Sequence, residues 1–407
     1  MEVIYPRCAG LDVHKQTVVA CARVAGTGPL MQEVRTFGTT TAGLLALGDW
    51  LETLGITHVA MEATGVYWKP VWHVLEGQFE LVLANAAHVK NVPGRKTDVN
   101  DAVWLADLLA HGLIRASFVP PMPVQDLRTL TRTRKQFVRE RVSHVQRIEK
   151  VLEDANLKLS VVLSDILGKS GRAVLQAIID GHSEPQYLAS LVSTRVKASR
   201  DELVEALHGR IRTHHRFMLK LHLGHIDALD KAIAEIETEV GQGLEPFRHA
   251  ARLLSTIPGI STTVAEALIA EIGTDMGRFA TAGHLLSWAC LCPRNDESAG
   301  KRRTTRLRPG GKWLKTTLVQ AAWAAIRVNG GYLQAQFHRI RARRGAKKAV
   351  MAVAASMLTA VWHMLRDGTE CQDLGAAHFD RADATKTANR LIRRLQQIGY
   401  QVTAVPV

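Results

Sequence analysis

Residues 9–24 read AGLDVHKQTVVACARV, an apolar run broken by one acid, Asp12, and closed by an alternating, β-branched segment from Thr17 to Val24. That pattern predicts a pair of strands, and an acid among them stands where charge is expensive. Working outward, the apolar run Thr57 to Met61 predicts another strand, closed by Glu62 inside HVAMEATGVYW. KTDVNDA then carries Asp98 and Asp101, three apart at the head of a helical pattern from Ala102 to Leu113, so both face one side of one turn. Helices over Thr41 to Leu54, Val66 to Leu75 and Val99 to His111, and a strand over Glu80 to Ala84, fill the intervals. Such alternation predicts an α/β domain with a mixed sheet.

At 407 residues the chain is long enough for two or three domains, and 46% hydrophobic residues exclude wholesale disorder. No run approaches the roughly 18 apolar residues of a membrane span, and the start MEVIYPRC lacks a basic segment followed by an apolar block. A protein of the bacterial cytoplasm with no membrane partner is expected. The five cysteines form no CxxC set with histidine partners, which argues against zinc and fits a reducing compartment.

Fifty-two Lys and Arg against 38 Asp and Glu leave a net charge of +14, which favours a polyanionic partner. Lys301, Arg302, Arg303, Arg306, Arg308, Lys312 and Lys315 crowd into KRRTTRLRPGGKWLK without one acid, and HRIRARRGAKK follows at residues 338–348. These are candidate nucleic-acid contacts; the alternative is a solvated basic face.

The prolines at 120, 121 and 123 break the α/β pattern and close a first domain over 1–122. A helical region over 123–250 follows. Within it, Val138, Val145, Leu152 and Leu159 recur every seven residues with Ile148 and Ala155 between, so a coiled coil and a bundle helix both fit. A long helix is expected from Arg216 to Gly241. A third domain over 251–370 opens with LLSTIPGISTTVAEALIAEIG, whose Pro-Gly turn resembles a helix-hairpin-helix element able to offer backbone N–H groups to phosphate, or else simply connects two helices. Residues 371–407 read as a tail.

Four carboxylates are a natural ligand set for Mg²⁺ or Mn²⁺, and paired metals suit in-line phosphodiester chemistry. Each acid also has a plainer reading: Asp12 as a turn former, Asp98 as an N-cap, Asp101 as a first-turn acid complementing the dipole. His14, Lys15 and Lys96 are placed to touch phosphate or merely to face solvent, and Tyr67 and Trp68 to stack on a base or pack a helix. Ser298, in PRNDESAGKRR, sits on an expected loop beside the cationic run; a serine hydroxyl needs activation before it attacks anything.

GLDVHK, MEATGVYW and KTDVNDA, then IPGI, then WACLCPRNDESAGKRRTTRLRPGGKWLK, resemble in that order the transposases of the insertion sequence 110 family, described as bridge-RNA-guided recombinases. The resemblance implies an RNase H-like (RuvC-like) N-terminal domain with the tetrad Asp12, Glu62, Asp98 and Asp101, a central coiled coil, and a mostly α C-terminal transposase domain with Ser298 as nucleophile. It implies donor and target DNA and a guide RNA as partners, and a homo-oligomer in which a dimer assembles to a tetramer. The family serine is often followed by glycine; here Ala299 intervenes. A Holliday-junction-resolvase-like nuclease would share the acids without the serine, and a non-catalytic nucleic-acid-binding protein would need neither.

Overall fold

The computed structural model describes residues 2–26, 29–63, 65–86, 89, 100–293, 296–304, 306–381 and 384–403. Two compact units divide the chain, Met1–Val119 and Pro120–Val407.

The first unit is built on a five-stranded sheet: β1 (Arg7–Val13), β2 (Thr17–Val24), β3 (Met31–Gly38), β4 (His58–Glu62) and β5 (Glu80–Ala84), in the order β3-β2-β1-β4-β5. β1, β2 and β3 are antiparallel neighbours, and β4 and β5 run parallel to β1. This is the mixed α/β sheet expected from the sequence, with one strand more. β3 is an edge strand whose residues are mostly exposed, so it carries Glu33 and Arg35 where a buried strand would carry apolar residues. β1 is central and covered on both faces, which is why CAGLDV is apolar without alternation.

On one face lie α1 (Thr41–Thr53) and α2 (Trp68–Leu75), packing Leu44, Leu47, Leu51, Val71 and Leu75 against Leu11, Val59 and Met61. Full burial of one such side chain is worth about 1.5–3 kcal/mol. Across the other face runs α3 (Asp101–Ala110), shorter than the span expected. Its cap is Asn100, whose side chain accepts from the Ala102 N–H at 2.9 Å.

The second unit begins with α4 (Met122–Asp154), followed by α5 (Leu159–Val162), α6 (Lys169–Ile179), α7 (Pro185–Ser190), α8 (Arg200–Ala206) and α9 (Thr213–Gly243). α4 and α9 pair antiparallel, because Arg134 meets Glu237, Arg141 meets Asp230, and Asp154 meets His215. Ile148, Leu152 and Ala155 of the expected heptad seam are buried within this chain against Leu219, Ile226 and the short helices, whereas Val138 is exposed and Leu159 lies beyond the helix end.

α10 (Arg248–Leu254), α11 (Thr262–Ile272) and α12 (Ala282–Trp288) lead to a two-stranded hairpin, β6 (Asp296–Ser298) and β7 (Lys301–Thr304), and then to α13 (Lys312–Ala325), α14 (Tyr332–Arg344) and α15 (Ala346–Asp367). α15 is long and apolar enough to cross a membrane by length and composition, yet Val353, Ala354, Met357, Leu358 and Val361 are wholly buried and it packs against α10, α12, α13 and α14. α16 (His378–Arg381) and α17 (Ala384–Gln397) end the described chain. The IPGI turn does join two helices: a Cβ on Gly259 would stand 2.5 Å from the Ala321 carbonyl oxygen, so glycine seats this turn directly on α13.

Candidate active site

Asp12 follows Leu11 on β1, and Glu62 follows Met61 on β4; Leu11 and Met61 are register partners on parallel strands. The two acids therefore stand side by side at the same end of the sheet and on the same face. That face carries α3. A Cβ on Gly10, two residues before Asp12, would lie 2.3 Å from the Ala102 carbonyl oxygen and 2.4 Å from the Ala106 N. Only glycine admits so close a helix, and Gly10 was not singled out in the sequence although it precedes the key acid.

α3 is aligned by its contacts: Ala102 and Val103 pack near Cys21 and Val19, while the Cys8 thiol reaches the Ala106 carbonyl and Leu109 and Ala110 pack over Cys8 and Ala60. Its first turn thus lies toward the Asp12 end, which brings Asp101 to the end of the sheet that carries Asp12 and Glu62. His14 Nε2 stands 3.1 Å from Asp12 Oδ2, with His14 exposed and Asp12 half-buried. Lys15 and Tyr67 are exposed, and Trp68 packs edge-on against Trp72 at 5.9 Å. Asp98 and Lys96 lie outside the described residues. Among the described residues, no three metal-ligating side chains close into a cluster.

Ser298 falls on a strand rather than on the expected open loop. It ends β6 and pairs with Lys301, leaving Ala299 and Gly300 as a two-residue turn with φ of 51° and 73°. Two successive left-handed residues are what a tight hairpin demands, and alanine there costs about 1–2 kcal/mol that glycine does not. The departure at Ala299 is thus a strained turn. The hairpin is closed below by a bridge between Pro293 and Leu307, and the Cys290 thiol contacts the Pro309 carbonyl at 3.6 Å. Lys301, Arg306, Arg308 and Lys312 are exposed, and Lys315 is half-buried, its Nζ 3.3 Å from the Arg308 carbonyl. Arg302 and Arg303 lie on β7, with their side chains outside the described residues.

Residues 9–157 match the profile of the DEDD transposases of the IS110 group, and residues 251–338 match that of the transposase family IS116/IS110/IS902. The class is therefore transposase, a DNA-recombining enzyme. The 44.8 kDa protein of insertion element IS116 from Streptomyces clavuligerus is 24% identical over 374 residues, covering 81% of this chain and 90% of that one. The transposase of insertion sequence element IS1111A from Coxiella burnetii is 22% identical over 291 residues, 70% of each chain. The pilin gene-inverting protein of Moraxella bovis is 24% identical over 299 residues, 71% of this chain and 73% of its own. This chain belongs to the IS110 family of transposases.

Proposed function

We propose that the chain cuts and rejoins donor and target DNA with Ser298 as nucleophile and Asp12, Glu62, Asp98 and Asp101 as ligands for Mg²⁺ or Mn²⁺, directed to its sites by a guide RNA. The observation that carries the reading is the meeting of Asp12 and Glu62 on adjacent parallel strands beneath the helix that starts at Asp101. An all-carboxylate donor set fits a hard divalent cation and no soft one. Such an ion supplies electrostatic stabilisation of the charge that grows on a phosphodiester under attack.

The chain's own groups do the rest. Ser298 Oγ forms a bond to phosphorus as the bond to the deoxyribose oxygen breaks; the serine proton passes to a base, and the departing oxygen takes up a proton. The phosphoserine left behind keeps the energy of the broken bond for rejoining. Lys96, Lys301, Arg302, Arg303, Arg306, Arg308, Lys312 and Lys315 hold phosphates, and base pairing with the RNA selects sequence.

Ser298→Ala is expected to abolish both strand exchange and the covalent protein–DNA adduct seen on a denaturing gel. Asp12→Asn is expected to bind DNA and fail to recombine. Cleavage that survives in Ser298→Ala identifies a resolvase-like nuclease instead, and an adduct that survives removes Ser298 from the nucleophile's role. A discrete RNA co-purifying with the wild-type protein is the expected sign of guidance, and its absence from active protein refutes it.

A further inference from the structure

Arg128, Arg132, Lys135 and Arg139 are spaced four, three and four residues apart on α4, and so form one stripe along its N-terminal half. The stripe faces α11 and α13. Glu271 on α11, only 5% exposed, accepts from Arg132 Nε and Nη2, each at 2.7 Å, and lies 3.9 Å from Arg128, which also donates to the carbonyls of Ala270 and Glu271. Lys135 Nζ donates to two hydroxyls, Thr316 Oγ1 and Thr317 Oγ1, both at 2.8 Å. Arg139 lies over the Trp313 ring 5.4 Å from its centroid, and Arg132 is 5.6 Å from the same centroid. Of the acids nearby, Glu140 accepts from Gln136, Glu237 pairs with Arg134, and half-buried Glu266 on α11 lies within electrostatic reach of Arg134.

Four cations less one carboxylate leave three positive charges along this face. Burial lowers the Arg128 pKa to about 10 against the pull of Glu271, and lowers that of Lys135, where Arg139 adds repulsion and Glu271 opposes it. Lys135 is the desolvated cation whose hydrogen bonds go to hydroxyls instead of a carboxylate, and a phosphate within reach relieves the cost of its burial. Lys135 and Arg139 lie about one turn apart, roughly 6 Å along the helix axis, so both can reach a single phosphodiester chain. Trp313 holds the Arg139 guanidinium over its ring and so fixes where that cation is presented.

We propose that the outer part of this stripe, Lys135 and Arg139 together with Trp313, binds the phosphodiester backbone of a nucleic acid, as a contact separate from the hairpin cations Lys301 to Arg308. The proposal rests on the reading of the chain as a nucleic-acid recombinase. The full-length protein is titrated with a short duplex DNA and, separately, with a single-stranded RNA across a series of salt concentrations.

Lys135→Gln/Arg139→Gln is expected to lower the slope of log K against log salt by about 1.8 on duplex DNA if both contacts are to DNA, or by about 1.4 on single-stranded RNA if both are to RNA. Whichever arm moves names the ligand. Arg139→Gln alone, at an exposed position where folding is not at risk, is expected to give half the change, and Arg139→Lys is expected to keep the wild-type slope. Unchanged slopes on both nucleic acids overturn the site, as does weaker binding with an unchanged slope, which marks a packing role. A wild-type protein that binds neither nucleic acid sinks the functional reading itself.

Discussion

Gly10 carries no chemistry, yet it sets how closely the helix beginning at Asp101 can approach the strand bearing Asp12. Gly10→Ala forces a methyl against the Ala102 and Ala106 backbone, which cannot rotate aside as a side chain can. Overpacking of this kind costs about 1–3 kcal/mol, relieved by moving the helix. The expected outcome is a lower melting temperature together with lost recombination; wild-type melting and activity would show that the helix does not need this seat. Asp12 itself was legible because an acid stands out against the buried strand around it. Its register with Glu62 was not, since pairing between strands about fifty residues apart is settled by tertiary packing. Ala299 shows the converse: its identity is plain in the sequence, but the left-handed turn that makes it awkward appears only once Ser298 pairs with Lys301.

Among the elements, the α4–α9 pair holds a histidine cluster. His144 Nδ1 and His222 Nδ1 are 3.2 Å apart, with His225 beside them and Arg147 Nη1 3.4 Å from His144 Nε2. Desolvation first, then the neighbouring positive groups, depress both His144 and His222, while Glu140 opposes this at His144. The unfolded chain therefore takes up these protons first. Stability is constant while both states are neutral and declines as pH falls through about 6.5 toward the depressed folded values. The denaturation midpoint of the wild type should drop over that window more than that of His222→Gln; equal pH dependence in the two proteins would refute the coupling. The helices of this pair were legible from their apolar spacing, and the seam that fitted either a coiled coil or a bundle is partly buried within this chain. The strand Met31–Gly38 and the Ser298 hairpin were not legible, because exposed two-stranded or edge structure needs no apolar alternation. The helix Tyr332–Arg344 was read only as a basic run, its arginines hiding the single buried anchor Phe337.

At the scale of the whole molecule, the acids belong to the unit Met1–Val119 and Ser298 to the unit Pro120–Val407, so the mechanism proposed above requires one of each, from one chain or from two. Asp12→Asn and Ser298→Ala chains, each inactive alone, are expected to recover part of the recombination when co-expressed, as some sites then receive an intact half from each. Verified mixed oligomers with no activity above either parent would assign both halves to one chain. The paired stem beneath Ser298 also works as a ruler. One residue added to each strand lengthens the stem by about 3.3 Å and turns its tip to the opposite face, while two added to each restore the face and double the added length. If Ser298 is the nucleophile proposed above, activity that vanishes with the first insertion and partly returns with the second would measure, in steps of one pleat, how much the reaction depends on the direction of the serine and how much on its distance.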